Sequence, residues 1–208
     1  MKKPIVSSFG ALLAILLCSA AWAYGAKAAC TYSTDPKGIQ VVWTAFKTTA
    51  KTPVKGHFTK AEVKGASSAA SLAALMQGLQ MDIDASSDET DNPGRNATIA
   101  QFFFEKFAPP SKLHAAVSKV VGDDSKGTVT VKITMNGVTR AVPFAYTATP
   151  DGAFEGKGSI DLMNFGLTNA FNSLHEACKD KHAGTDGVSK TWTQVDLLLT
   201  GKFQKSCS

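Results

Sequence analysis

The sequence predicts a mainly-β protein: an eight-stranded antiparallel barrel carrying two or three helical inserts. Three observations point there. Runs of β-branched and aromatic residues alternate with polar ones at a period of two, the spacing that sends successive side chains to opposite faces of a sheet. Turn dipeptides separate several of these runs, above all Asn136-Gly137, a two-residue hairpin signal, and Asp151-Gly152. Strand–helix–strand alternation, internal repeats and long linkers are absent from the sequence. Antiparallel strands of this number close readily into a barrel able to hold one ligand.

The first strand spans 38–47, with Ile39, Val41, Trp43 and Ala45 on one face and Val42 and Phe46 making the other partly apolar. A turn at 48–52 leads into 53–63, where Gly56 predicts a bulge or bend. Residues 67–79 read as a helix capped by Ser67 or Ser68, because Leu72, Leu75, Met76 and Leu79 recur at i, i+3, i+4 and i+7. Leu79, Met81 and Ile83 then alternate with Gln80, Asp82 and Asp84 in a third strand. The segment 91–107, DNPGRNATIAQFFFEKF, opens on a turn, passes Arg95 and reaches Phe102, Phe103, Phe104 and Phe107. Three consecutive phenylalanines cannot share one face of a helix or a strand. The segment is therefore buried on several sides or lines an apolar cavity, and we read it as a short helical or irregular insert.

Strands follow at 112–122, 127–135 and 138–149, the last holding Pro143, which argues for an edge or a bulge. After Asp151-Gly152 comes a strand within 153–166. A second helix spans 168–181, with Phe171, Leu174, His175 and Cys178 on one stripe. The loop 183–187 leads into a final strand over 191–203.

The first 23 residues read as a cleavable signal peptide: Lys2 and Lys3, an apolar run over 9–20, then Ala21-Trp22-Ala23 before the cut. Cleavage leaves 185 of the 208 residues, suited to one domain over 24–208, and a periplasmic location. Two of the 22 basic residues leave with the signal, which reduces the excess over the 17 acids from five to three. The basic residues are scattered singly, so nucleic-acid binding is not expected. Export places Cys30, Cys178 and Cys207 in an oxidising compartment, giving one disulfide and one odd thiol. A closed barrel pairs its first strand with its last, which favours Cys30–Cys207, with Cys178–Cys207 as the alternative.

Read together, WTAFK (43–47), V-K-G-x-F (54–58), N-x-x-R-N (92–96) leading to the three phenylalanines, NGVTR (136–140) and SIDLMNFG (159–166) resemble the YceI-like family in their order. The resemblance covers roughly 32–203. It implies an exported bacterial protein with a lipocalin-like barrel that binds polyisoprenoids or related long-chain amphiphiles. The chain departs from the family pattern at Asn96, where members usually carry Asp, at Gly38, where they often carry His before the first strand, and in the helix around Leu174, an insertion.

An apolar ligand needs an apolar, preformed cavity with few polar groups to orient its head. The candidate lining is Trp43, Phe102, Phe103, Phe104, Phe144, Tyr146 and Phe165, with Met76, Leu79, Met81 and Leu167 as aliphatic wall. The same side chains would equally fill a packed barrel, and the resemblance is what favours a pocket. Arg95 either meets a carboxylate or phosphate head with its five-donor fork or pins its loop through a salt bridge to Asp91 or another local acid. An alternative function rests on His175, Cys178 and His182, spaced i, i+3 and i+7, as metal ligands or redox groups. Hydrolase elbows, phosphate loops and dinucleotide fingerprints are absent from the sequence, so no enzyme activity and no cofactor beyond a bound isoprenoid lipid are expected. Transient membrane contact and homodimerisation are left open.

Overall fold

A computed structural model of the protein describes residues 29–34, 38–108 and 112–208. The expected signal peptide lies outside them, as does Pro109-Pro110. The described residues hold twelve strands: β1 (Cys30–Thr34), β2 (Gln40–Lys47), β3 (Thr52–Phe58), β4 (Ala61–Lys64), β5 (Ser68–Ala69), β6 (Gln80–Asp84), β7 (Asp88–Glu89), β8 (Lys112–Gly122), β9 (Lys126–Met135), β10 (Val138–Ala148), β11 (Ala153–Asp161) and β12 (Thr191–Cys207). Three α-helices accompany them: α1 (Leu72–Met76), α2 (Pro93–Phe102) and α3 (Thr168–Ala177).

The eight expected strands and the twelve observed ones describe one circuit. The sheet runs β4-β6-β8-β9-β10-β11-β12-β2-β3-β7, and its pairings are antiparallel. Its two ends are halves of the same bent pair, because β4 continues β3 and β7 continues β6 in the chain. Ala61 pairs with Ile83 on one side of the bend and Phe58 with Asp88 on the other. Between them the Thr59 amide donates to the Ser87 carbonyl (3.0 Å) and the Asp84 amide to the Lys60 carbonyl (3.1 Å). The barrel thus closes through a kink rather than a straight ladder. Outside the circuit, β1 extends the far end of β12 and pairs with β5.

Gly56 makes no bulge: the β2–β3 register is continuous past it. Gly56 faces Trp43 across the ladder, and a Cβ there would stand 2.3 Å from the indole. The residue is small because the tryptophan ring lies on it, and the bend falls at Thr59–Lys60 instead. The first helix is also shorter than its apolar periodicity suggested. Ser68-Ala69 is drawn into β5, Ser71 rather than Ser67 or Ser68 caps α1 by accepting from the Ala74 amide (3.1 Å), and Gly78 at φ +86° leaves the helical path. Asn136 and Gly137 take φ values of +52° and +73°, the double left-handed turn that a two-residue hairpin requires. Pro143 lies on a free edge, since β10 pairs with β11 only from Ala145 onward.

Cys30 and Cys207 stand directly opposite one another in β1 and β12 and form the disulfide; Cys178 is free. That end of the barrel is filled. Tyr32, Leu72, Leu75, Met76, Leu79, Tyr146 and Phe203 are buried together there. Their polar tips are satisfied: Tyr146 donates to the Asp123 carbonyl (2.6 Å) and Tyr32 to Asp124 Oδ2 (2.9 Å), while Asp124 Oδ1 accepts from the Leu72 amide (2.8 Å).

Candidate functional site: an apolar cavity under α2 and α3

The opposite half of the barrel is hollow. A cavity of about 510 Å³ lies inside it, within the roughly 300–1,000 Å³ typical of small-molecule sites. Its wall is made by inward-facing positions at the strand period: Val41, Trp43 and Ala45 on β2, Val131, Ile133 and Met135 on β9, and Val195, Leu197 and Leu199 on β12. Helices cover the open end. Phe103, Phe104 and Phe107 hang from the end of α2, and Phe171 and Leu174 from α3.

The run of phenylalanines resolves as a break in helix geometry. Asn92 caps α2 by accepting from the Arg95 amide (2.9 Å), and Pro93 occupies the first turn. At Phe103 (φ −121°, ψ −66°) the helix gives way to a 3₁₀ turn over Phe104–Lys106. Phe103, Phe104 and Phe107 then interlock edge to face, with centroids 5.2–5.5 Å apart. Phe102, still on the helix, is half-buried and takes no part in the lining.

A polar clasp holds α2 to the barrel. Glu89 accepts from Asn96 Nδ2 (2.7 Å) and from the Thr90 and Asp91 amides (2.9 and 2.7 Å), while Asn96 Oδ1 accepts from the buried Thr90. These bonds hold the Glu89 carboxyl below its ordinary range, Asn96 contributing most. A carboxylate at position 96 would face Glu89 as a like charge, and the amide donates to it instead. Behind the wall, Trp43 Nε1 donates to Asp88 Oδ1 (2.7 Å), while Asp88 Oδ2 is buried with no hydrogen-bond partner among the described residues. Burial pushes this carboxyl up to about 6, against the lowering effect of the Trp43 bond.

Of the residues expected to line a pocket, Trp43, Met81, Arg95, Phe103, Phe104 and Phe144 do so. Met76, Leu79 and Tyr146 belong to the filled end, where α1 plugs the barrel. Phe165 ends the turn Leu162–Phe165, which packs beside β10, β11 and β12, and Leu167 follows it before α3; both are buried and neither lines the cavity. The candidate lining omitted the aliphatic wall positions Val41, Ala45, Val131, Ile133, Leu197 and Leu199. The signal that finds them is strict alternation along β2, β9 and β12.

The metal reading loses its geometry. The helix ends at Ala177 and a 3₁₀ turn follows over Lys179–His182, so His182 leaves the face shared by His175 and Cys178. Both histidines instead place Nδ1 on the Thr191 hydroxyl, at 2.9 and 2.7 Å. Cys178 and His182 touch the cavity and His175 does not. Burial raises the Cys178 thiol and lowers His182, so each stays neutral near pH 7. Among the described residues no group of three His, Cys, Asp or Glu side chains could hold a metal ion.

Of the Lys, Arg, Asp and Glu side chains among the described residues, those that line the cavity are all cationic, and they stand at its exposed side. Lys47, Arg95 and Lys181 line it, no Asp or Glu does so, and none of the three cations is in ion-pair contact with an acid among the described residues. The Asp91–Arg95 ion pair that would have pinned the loop is not formed.

The YceI-like domain profile matches residues 32–194, most of the chain. The chain belongs to the YceI-like family. Solved structures agree on the fold. A polyisoprenoid binding domain from Saccharophagus degradans superposes with a TM-score of 0.57 at 17% identity, over 83% of this chain and 97% of that one. BcnA from Burkholderia cenocepacia gives 0.54 at 20%, over 80% and 97%. The YCEI protein of Campylobacter jejuni gives 0.50 at 20%, over 74% and 85%. No curated protein matches the chain. In this YceI-like protein the match ends at Gln194, so the Cys207 half of the disulfide and the wall residues Val195, Leu197 and Leu199 lie beyond it.

Proposed function

We propose that the protein is an exported, periplasmic carrier that holds a long-chain apolar molecule, an isoprenoid, quinone-like compound or fatty amphiphile, inside its barrel. The observation that carries this reading is the hollow half itself: aliphatic walls on three strands, closed over by Phe103, Phe104 and Phe107. Affinity comes from burial, about 0.8 kcal/mol for each CH₂ taken out of water, and needs no reaction. The polyisoprenoid-binding relative with the same fold supports the choice of ligand class. The Cys30–Cys207 disulfide accords with export, with the mature chain beginning at Tyr24. We take Arg95, which lines the cavity and is exposed, as the group that meets a polar head. Transient membrane contact belongs to the reading, because so insoluble a cargo is collected and released at membranes.

Native mass spectrometry of the exported protein, followed by solvent extraction and lipid analysis, tests it. The expected result is a discrete apolar adduct that disappears in Phe103→Asp or Phe104→Asp. A bare protein mass that also refuses added polyprenols would overturn the proposal.

A further inference from the structure

We infer that the open end of the barrel docks on an anionic lipid surface, through a collar of unneutralised cations around an apolar hole. The inference rests on the carrier reading and adds where the cargo enters.

The collar is built from three separate elements. Arg95 stands in the first turn of α2, Lys47 ends β2, and Lys181 lies in the turn after α3; all three line the opening. The Lys47 ammonium donates to the Lys181 carbonyl (3.3 Å), which draws these two basic residues together. Among the described residues the acids near in sequence keep off the rim: Asp91 and Asp180 are exposed and do not line the cavity, and Glu176 is turned toward Lys179 (3.8 Å). Four lysines elsewhere on the surface do pair with carboxylates, among them Lys64 with Asp82 and Lys157 with Glu155. Cations grouped without counter-charge repel one another, and an anionic surface relieves that repulsion.

Aromatic side chains continue the collar outward. The Lys51 ammonium stands 4.8 Å from the Phe46 ring and 5.2 Å from Trp192, and Lys190 stands 5.0 Å from Trp192. Trp192 is half-buried, its Nε1 donating to the Thr48 carbonyl (2.9 Å), so its ring is held beside the opening. Tryptophan bodies with lysines beside them suit the headgroup layer, where an amphipathic ring and a cation are both satisfied. Each lysine or arginine brought to an anionic surface strengthens binding roughly fivefold, and the effect falls off within a Debye length. A bilayer, unlike a soluble anion, also presents apolar chains directly beneath its charge. Docked this way, the opening faces the layer from which an apolar molecule would pass to Phe103 and Phe104.

The test is co-flotation of the full exported protein with vesicles of phosphatidylcholine containing phosphatidylglycerol, against pure phosphatidylcholine, with the combined emission of Trp43 and Trp192 followed in parallel. We expect association with the anionic vesicles at low salt, a blue shift of the tryptophan emission, and release as salt is raised. The triple variant Lys47→Gln, Arg95→Gln, Lys181→Gln should lose roughly a hundredfold in partitioning. A charge-matched control at the filled end, Lys126→Gln, Lys202→Gln, Lys205→Gln, should retain it. Equal loss in both triple variants would reduce the effect to net charge and overturn the collar. Equal binding to neutral vesicles, or none to either, would also overturn it, as would binding of inorganic phosphate at these residues with no vesicle association. Failure of the carrier reading is separately visible, because the apolar adduct is read in the absence of vesicles.

Discussion

The two halves of this barrel are built from the same strands, yet one is solid and the other hollow. β12 passes through both: Val195, Leu197 and Leu199 face open space, whereas Phe203 is 3% exposed in the packed end. β10 does the same within three residues, Phe144 lining the cavity and Tyr146 filling the core. Alternation therefore decides what faces inward and says nothing about whether the space is occupied. Occupation is decided by what enters from the ends. At one end α1, Tyr32 and Tyr146 bring bulk with hydrogen-bonded tips; at the other α2 and α3 form a roof without a plug.

The contrast makes the largest prediction. Leu75 is fully buried in the solid half, and Leu75→Ala should cost about 2–5 kcal/mol of unfolding free energy, read by urea denaturation. Leu197→Ala in the hollow half should cost less than about 2 kcal/mol, because one side of that leucine already lacks packing partners, while it enlarges the site and alters ligand affinity. Equal costs would mean that the cavity is filled in solution. The disulfide belongs to the solid half and closes a loop of 177 residues. Replacing Cys30 and Cys207 together by Ser should cost about 2–4 kcal/mol, seen as a lower melting temperature, with hydrogen exchange rising first in β1 and its β12 partners. Gly56→Ala should cost about 1–3 kcal/mol, since the methyl group displaces the Trp43 ring. Unlike Leu75→Ala, it should also disturb ligand binding, because Trp43 is cavity wall.

Much of the circuit was legible in the sequence. Period-two alternation, Asn136-Gly137 and Asp151-Gly152 suffice for the strands, and barrel closure brings Cys30 to Cys207. The broken run Phe102-Phe103-Phe104 announced a segment with more than one buried face. The site was half legible, for a physical reason. Tyr146, Phe165 and Leu167 are as apolar and inward as Phe144, and only the tertiary position of α1 and of the Leu162–Phe165 turn separates filling from lining. The early end of α3 was invisible for a similar reason: His175, Cys178 and His182 keep helical spacing in the sequence, but Thr191, reached only through the fold, draws both histidines to itself. The kink that splits two strands into four leaves its trace in a hydrogen-bond pattern at Thr59, Lys60 and Ser87 rather than in hydropathy.

The smallest predicted effect probes the wall behind Trp43. The carboxyl of Asp88 titrates at about 6 in the folded protein, above the ordinary 3.8, because burial disfavours its charge more than Trp43 Nε1 stabilises it. A raised folded-state value means that the proton is held more tightly by the fold than by the unfolded chain. The stability it confers is complete below 3.8 and is lost as pH rises through 6. Carboxyls such as Asp82, Asp84 and Asp123 are held below their usual range, so their contribution disappears only at more acidic pH and has the opposite sign. His182, held low by burial, titrates below 6.5 and overlaps the window, so the useful quantity is a difference between variants. Asp88→Asn keeps an acceptor for Trp43 and removes the charge. Its melting temperature should match the parent below pH 3.8 and exceed it by a few degrees above pH 6, with the difference growing across the interval between those two values. A flat difference across this range would mean that water reaches Oδ2, and the wall at Trp43 would then be wetter than the rest of the hollow half.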